Sequence, residues 1–160
     1  MTEMLTQEKI EEFVAAWYVA LDLHVPVQEC LSFASDGVQM VFPEKTLHSI
    51  NDLAAWYAGG TYSDGEAAPG VINIFFDEAH NVVSVEPLND LSDEAVSLKV
   101  VVAWQASLFV APEAKSRRVA LDATQHWTIQ RSDKNQYGMV ITSYNAMAEP
   151  FVYAPGFARL

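Results

Sequence analysis

Arg117-Arg118-Val119-Ala120-Leu121-Asp122-Ala123-Thr124-Gln125-His126-Trp127-Thr128-Ile129-Gln130-Arg131 decides how this chain folds. Taken every second residue, Val119, Leu121, Ala123, Gln125, Trp127 and Ile129 form one set. Arg118, Asp122, Thr124, His126 and Thr128 form the other. A period of two is the signature of a strand with one buried face, and the apolar set marks the side turned to the core. Gln125 is the polar exception there. A buried amide must find hydrogen-bond partners, and on a pocket wall a ligand can supply them.

Outward from this strand the chain divides cleanly. Everything after residue 70 reads as sheet: Val71 to Phe76, Asn81 to Glu86, the long β-rich run Ala95 to Val110, and Gly138 to Met147 after the polar turn Ser132 to Gln136. The first half reads as helix. Ile10, Phe13, Val14, Trp17 and Leu21 recur at 3 and 4 spacing behind a candidate N-cap, Thr6, with Glu8 near the positive end and Val25-Pro26 as the stop. A short helix is predicted from Pro26 to Ala34, then a turn at Asp36-Gly37 and a strand, Val38 to Phe42, ended by Pro43. Ser49 and Asp52 make a capping box for a third helix with Leu53, Trp56 and Tyr57 on its apolar side, stopped by Gly59-Gly60. Thr61 to Gly70 reads as a loop. No repeat or linker interrupts residues 1–160, so one α+β domain is expected, with three N-terminal helices packed in the concavity of a curved, mainly antiparallel sheet.

Of the 160 residues, 51% are hydrophobic and 19% charged, the balance of a globular domain. Nine Lys and Arg against 21 Asp and Glu give a net charge of −12, which repels phosphate backbones and anionic lipid; nucleic acid and membrane surfaces are not expected partners. No apolar run reaches the roughly 18 to 20 residues of a membrane span. Met1 to Glu12 lacks the basic region and apolar stretch of a secretory signal, and the one cysteine, Cys30, has no disulfide partner in the chain. These point to a reducing cytoplasm, although a secreted chain stripped of its leader would read the same way.

Several residues carry candidate chemistry. His24, His48, His80 and His126 are the available acid–base groups near neutrality. Alternation turns His126 outward, and His48, just before the third helix, reads as a loop residue; His80 heads a strand, where it either lines the pocket or is a turn residue between Glu78 and Asn81. Asp22 lies one turn past Tyr18 and beside His24, where an aromatic wall could hold a carboxylate as a base. Glu44, just after Pro43, is an alternative. Trp17, Trp56, Trp104 and Trp127, with Phe42, are placed on inward faces and are candidate walls for a flat hydrophobic ligand. Asp77-Glu78-Ala79-His80 spells a helicase box, but no phosphate-cradling G-x-x-x-x-G-K-[ST] loop accompanies it. G-x-G-x-x-G, H-E-x-x-H and paired C-x-x-C motifs are absent, so no metal or organic cofactor is expected.

Three segments carry a family resemblance over residues 8 to 148. Phe33-Ala34-Ser35-Asp36 resembles the entry to the first strand of nuclear transport factor 2-like proteins, among them SnoaL-like cyclases, scytalone dehydratase and ketosteroid isomerase. Leu53-Ala54-Ala55-Trp56-Tyr57 is similar to the isomerases' third helix, and Ala120-Leu121-Asp122 to the start of their late strand. The resemblance implies a cystatin-like cone around an apolar pocket. In the isomerases an aspartate before the strand-ending proline abstracts the proton; here that place holds Phe42, which cannot. The oxyanion-side tyrosine falls on Trp17 or, with a one-residue gap, Tyr18. The late-strand acid falls on Gln125, an amide donor, and the supporting tyrosine on Tyr57. The implied protein binds a hydrophobic small molecule and is an isomerase, cyclase or dehydratase acting on an apolar carbonyl compound. Tyr18, Tyr57 and Gln125 would stabilise oxygen charge, and Asp22 or His80 would move the proton. A non-catalytic binding or assembly module is an alternative, as is a small subunit like those of ring-hydroxylating dioxygenases. A homodimer is expected through the sheet's outer face, which carries Val101, Ala103, Phe109, Thr124, His126 and Thr142.

Overall fold

The structure, a computed structural model, describes residues 4–160; residues 1–3 of the expected domain lie outside the described residues. Helix α1, Gln7–Leu23, starts where Thr6 accepts a hydrogen bond from the Lys9 amide at 3.2 Å. It ends at His24, a left-handed cap with φ 52° and ψ 51°, whose neighbour Val25 returns its N–H to the Ala20 carbonyl. Glycine usually takes that place; the cost of a histidine there points to what its side chain does. Helix α2, Val27–Leu31, is shorter than the predicted Pro26 to Ala34, because Ala34 already belongs to strand β1, Ala34–Val41. Ladder bonds win over helix propensity at this point: the Ile141 amide bonds the Phe33 carbonyl at 2.8 Å, and Ala34 pairs with Ile141.

Strand β2, Thr46–Leu47, folds back on β1. Helix α3, Ile50–Ala58, has the predicted Ser49 cap, accepting from the Asp52 amide at 3.2 Å, and stops at Gly59 with φ 96°. The predicted loop contains a small hairpin, β3 Gly60–Thr61 with β4 Ala67–Ala68. Val71 to Phe76 is not one strand: Val71–Asn73 is a 3-10 turn. Gly70 forces this, with φ 85° and a backbone so close to α3 that a Cβ would meet the Gly59 nitrogen at 2.5 Å. Only glycine fits such an approach.

The long strands follow: β5 Phe75–Pro87, β6 Ala95–Leu108, β7 Arg117–Arg131, β8 Met139–Asn145, and the short β9 Val152–Tyr153. Their order is β2-β1-β8-β7-β6-β5, with β9 on β7; β1 and β8 are parallel and the other pairs antiparallel. The alternation of β7 is as read from the sequence, with Val119, Leu121, Ala123, Gln125, Trp127 and Ile129 all buried. β5 is a single strand where two were predicted, broken by register shifts between Phe76 and Ala79 and between Val82 and Ser84. Asp77, with φ 50°, sits in the first shift. Such bulges bend a strand and re-aim its side chains. The result is an α+β fold whose three helices cover one face of a curved, mainly antiparallel sheet. Among the described residues no helix is long and apolar enough to cross a membrane.

Candidate active site

Two elements bring acid–base groups together. The last turn of α1 offers Asp22 and its cap His24; the bulged start of β5 offers Glu78 and His80. The Asp22 carboxylate grips His80 twice, accepting from its backbone N–H at 3.0 Å and bonding ring Nδ1 at 2.5 Å. An ionised carboxylate only accepts, so Nδ1 must carry the proton in this pair. Nε2 has no hydrogen-bond partner among the described residues. The His80 ring stacks on Tyr18, with centroids 4.7 Å apart, and on Trp104 at 6.0 Å. Its position is therefore fixed by two rings and one carboxylate.

A second pair lies beside it. His24 Nε2 meets Glu78 Oε2 at 2.7 Å, and the Trp104 indole approaches Glu78 Oε1 at 3.4 Å. Burial raises the Glu78 pKa above its ordinary 4.5, against the opposing pull of the His24 hydrogen bond and the His80 and His24 charges.

Gln125 organises the closed end. Its Oε1 accepts from the Tyr18 hydroxyl at 2.7 Å and from Trp127 Nε1 at 3.0 Å. The indole can only donate, which fixes which end of the amide faces it and turns the NH2 away. Tyr144 lies alongside. Burial raises the pKa of its hydroxyl, while donors on Trp17, Tyr18 and Gln125 directed toward it work in the opposite sense. The Trp17 indole stops short of full hydrogen-bond geometry and is the one buried side-chain nitrogen left without a partner among the described residues.

These groups meet at an apolar cavity of about 110 Å³ whose wall includes Glu78, His80, Gln125, Phe42, Trp56 and Trp104. Phe42 stacks on Trp56 at 4.1 Å, and the Trp56 indole donates to Glu44 at the exposed rim at 2.8 Å. Phe151 and Leu160, from the tail that carries β9, complete the wall. A larger depression of about 790 Å³, between α1 and the β7–β8 turn, is an open surface groove holding none of these acid–base groups.

The residues singled out in the sequence separate into three groups. Gln125, His80, Phe42, Trp56 and Trp104 are on the cavity wall. Tyr18 and Asp22 stand behind it, holding Gln125 and His80. Three are elsewhere. Tyr57 donates its hydroxyl to the Val25 carbonyl at 2.5 Å, tying α3 to the α1–α2 junction, and is not on the cavity wall. Trp17 and Trp127 are fully buried in the aromatic core at the closed end. Inward direction alone does not say whether a side chain reaches the cavity, and neither of these is on its wall. His126 is exposed, on the face opposite Gln125. Sequence reasoning missed Glu78 and Tyr144. The signal for Glu78 was present: it lies two residues before His80, on the same face of any strand containing both. Among the described residues no group of three His, Cys, Asp or Glu is placed to hold a metal ion.

No family model matches the chain, and no curated protein does. Solved structures do match in three dimensions. A hexachlorocyclohexane dehydrochlorinase from Novosphingobium barchaimii LL02 is 12% identical with TM-score 0.64, over 96% of this chain and 93% of that one. A nuclear transport factor 2-like superfamily protein from Salmonella enterica serovar Typhimurium is 10% identical with TM-score 0.62, over 95% and 91%. A cystatin-like protein from Nostoc punctiforme is 9% identical with TM-score 0.61, over 99% and 100%. At these identities the shared property is the fold: the chain has the nuclear transport factor 2-like, cystatin-like fold.

Proposed function

We propose that this protein is a small-molecule enzyme, an isomerase, cyclase or dehydratase, that moves a proton on a compact apolar carbonyl compound. The observation that carries the reading is the Asp22–His80 pair on the wall of an apolar cavity. Asp22 keeps the proton on Nδ1 and leaves Nε2 as the base, and it stabilises the imidazolium formed when Nε2 takes a proton from carbon. The Gln125 amide has two N–H donors; with one directed toward Tyr144, the other is the donor for the substrate oxygen, and its carbonyl is anchored by Tyr18 and Trp127. A cavity near 110 Å³, smaller than the roughly 150 Å³ apolar cavity that holds benzene, limits the ligand to a compact molecule no larger than about one ring. His80 thus takes the role that Phe42 cannot. The same reading makes the protein a cytoplasmic homodimer through the outer sheet face, where His126 and Phe109 are exposed and Val101, Ala103, Thr124 and Thr142 are half-exposed.

Cyclohexanone in D2O, followed by proton NMR, tests the reaction class. The protein should accelerate exchange of the α-protons above buffer. His80→Gln should return exchange to the buffer rate, and Asp22→Asn should slow it by roughly 10² or more, the scale of a positioned base. Wild-type exchange no faster than buffer would overturn the enzyme reading in favour of a non-catalytic module.

A further inference from the structure

His80 reaches the cavity only because β5 is irregular. Phe75 faces inward, on the cavity wall and edge-on to Trp104 at 5.3 Å, while Phe76 faces outward and is exposed. In an unbroken strand Glu78 and His80 would follow Phe76 to the outer side, since side chains alternate with a period of two. Phe76 pairs with Ser107 and Ala79 with Gln105, so Asp77 and Glu78 together stand opposite one residue of β6, Ala106. That extra residue reverses the alternation: Ala79 is exposed, and Glu78 and His80 are on the cavity wall. The bulge is kept at a cost, because Asp77 takes φ 50°, the left-handed region that residues with a side chain disfavour.

One side chain holds the bulge from the far side of the sheet. Arg118 belongs to the outward set of β7, directly opposite Ser107, and is not on the cavity wall. Its Nη1 donates to the Asp77 carbonyl at 2.7 Å and to Ser107 Oγ at 3.1 Å, and its Nη2 donates to Gln105 Oε1 at 2.8 Å. Among the described residues it pairs with no carboxylate, not even that of Asp77. A guanidinium used only to balance charge would take an acid, in a chain that has 21 of them. This one takes a main-chain oxygen two strands away, and its planar fork fixes three acceptors at once. We propose that Arg118 is the positioning residue of the Asp22–His80 pair: by clamping the Asp77 carbonyl from the outer face, it holds the bulge that turns His80 inward. Without the clamp Asp77 can relax toward a regular strand, which carries His80 away from both of its bonds to Asp22 and from the Tyr18 ring. The consequence for catalysis rests on the proposed role of His80, whereas the placing of its ring can be read without a substrate.

Proton–nitrogen NMR of the histidine side chains, on the full chain, compares wild type with Arg118→Met. Wild type should show a protected Nδ1 proton on His80, held by Asp22. Arg118→Met should lose that line and leave neutral His80 as a mixture of its two tautomers, with the lines of His48 and His126 unchanged. Cyclohexanone exchange should fall by roughly 10²-fold in the same variant, the scale of a misplaced reacting group. His80 lines unchanged in Arg118→Met overturn the proposal, whatever happens to Tm, because a merely structural arginine lowers stability without moving a tautomer. Should Arg118→Met not fold, Gln105→Met with Ser107→Ala strips the guanidinium of its other two acceptors and takes its place. A smaller change of the same kind then supports the clamp, and unchanged His80 lines overturn it. Altered His80 lines with no cyclohexanone exchange in wild type uphold the clamp and overturn the enzyme reading; unchanged lines with wild-type exchange present do the reverse.

Discussion

Replacing Gln125 by Met isolates the hydrogen bonds at the closed end of the cone, because the two side chains are similar in volume and packing is largely kept. Oε1 of Gln125 is the acceptor for two buried donors, the Tyr18 hydroxyl at 2.7 Å and the Trp127 indole at 3.0 Å. Tyr18 and Trp127 are each 1% exposed, so water cannot replace the lost acceptor. A buried donor left unpaired costs about 1–3 kcal/mol. Tyr144, beside Tyr18, can absorb part of one of these losses, which puts the total near 2–4 kcal/mol. For a chain of this length 1 kcal/mol corresponds to roughly 2–4 °C, so Tm should fall by about 5–15 °C. Circular dichroism melts give this directly. In the Gln125→Met background, Tyr18→Phe should cost less than it does alone, because its partner is already gone. The variant should also slow cyclohexanone exchange, since the amide donor is lost. A Tm within about 2 °C of wild type, or additive costs in the double variant, would refute the network.

Asp52 is buried, and burial would raise its pKa, but hydrogen bonds from the His48 amide and from the Ser63 amide and hydroxyl outweigh this and hold it below 3.8. A depressed folded pKa gives stability that is present above the unfolded value and lost as pH falls through the folded one. Asp52→Asn should therefore destabilise by roughly 1–3 kcal/mol at pH 7, with a smaller gap to wild type in melts at pH 3. Glu78 is the opposite case. Its raised pKa favours the protonated fold, so its contribution is fully present below 4.5 and lost as pH rises through the folded value; Glu78→Gln should raise Tm at pH 8 and change it little at pH 4. Tyr57→Phe removes the bond to the Val25 carbonyl and should cost about 1 kcal/mol in stability with cyclohexanone exchange unchanged. A fall in exchange larger than the loss of folded protein would put Tyr57 back in the site.

The parts of the fold legible in the sequence are those where one local rule acts alone. β7 has a single buried face, so its period of two gives register and side at once. The Thr6 and Ser49 caps mark helix starts that the structure reproduces. The start of β5 was misread because Gly70 imposes a turn on a β-branched run and a bulge interrupts the pattern that a strand should carry. The same bulge explains the partial reading of the site. Asp22 and His80 were each visible as candidates, but their pairing joins residues 58 apart in sequence through a strand distortion that alternation cannot express. Glu78 lies between the two strands read from the sequence, Val71 to Phe76 and Asn81 to Glu86, so its place two residues before His80 was not used. Tyr57 lies on the apolar side of α3 as expected, yet the neighbouring Val25 carbonyl takes its hydroxyl, a tertiary contact with no sequence pattern.

Long-range proton–nitrogen NMR of the histidine side chains tests the central claim most directly, because the proposed chemistry depends on which nitrogen of His80 carries the proton. The account predicts that neutral His80 is protonated at Nδ1 and bare at Nε2, and that Asp22→Asn releases this preference, because an amide can hydrogen-bond either tautomer. A neutral His80 ring protonated at Nε2 in the wild-type protein would contradict it, since no lone pair would then be left for a substrate proton.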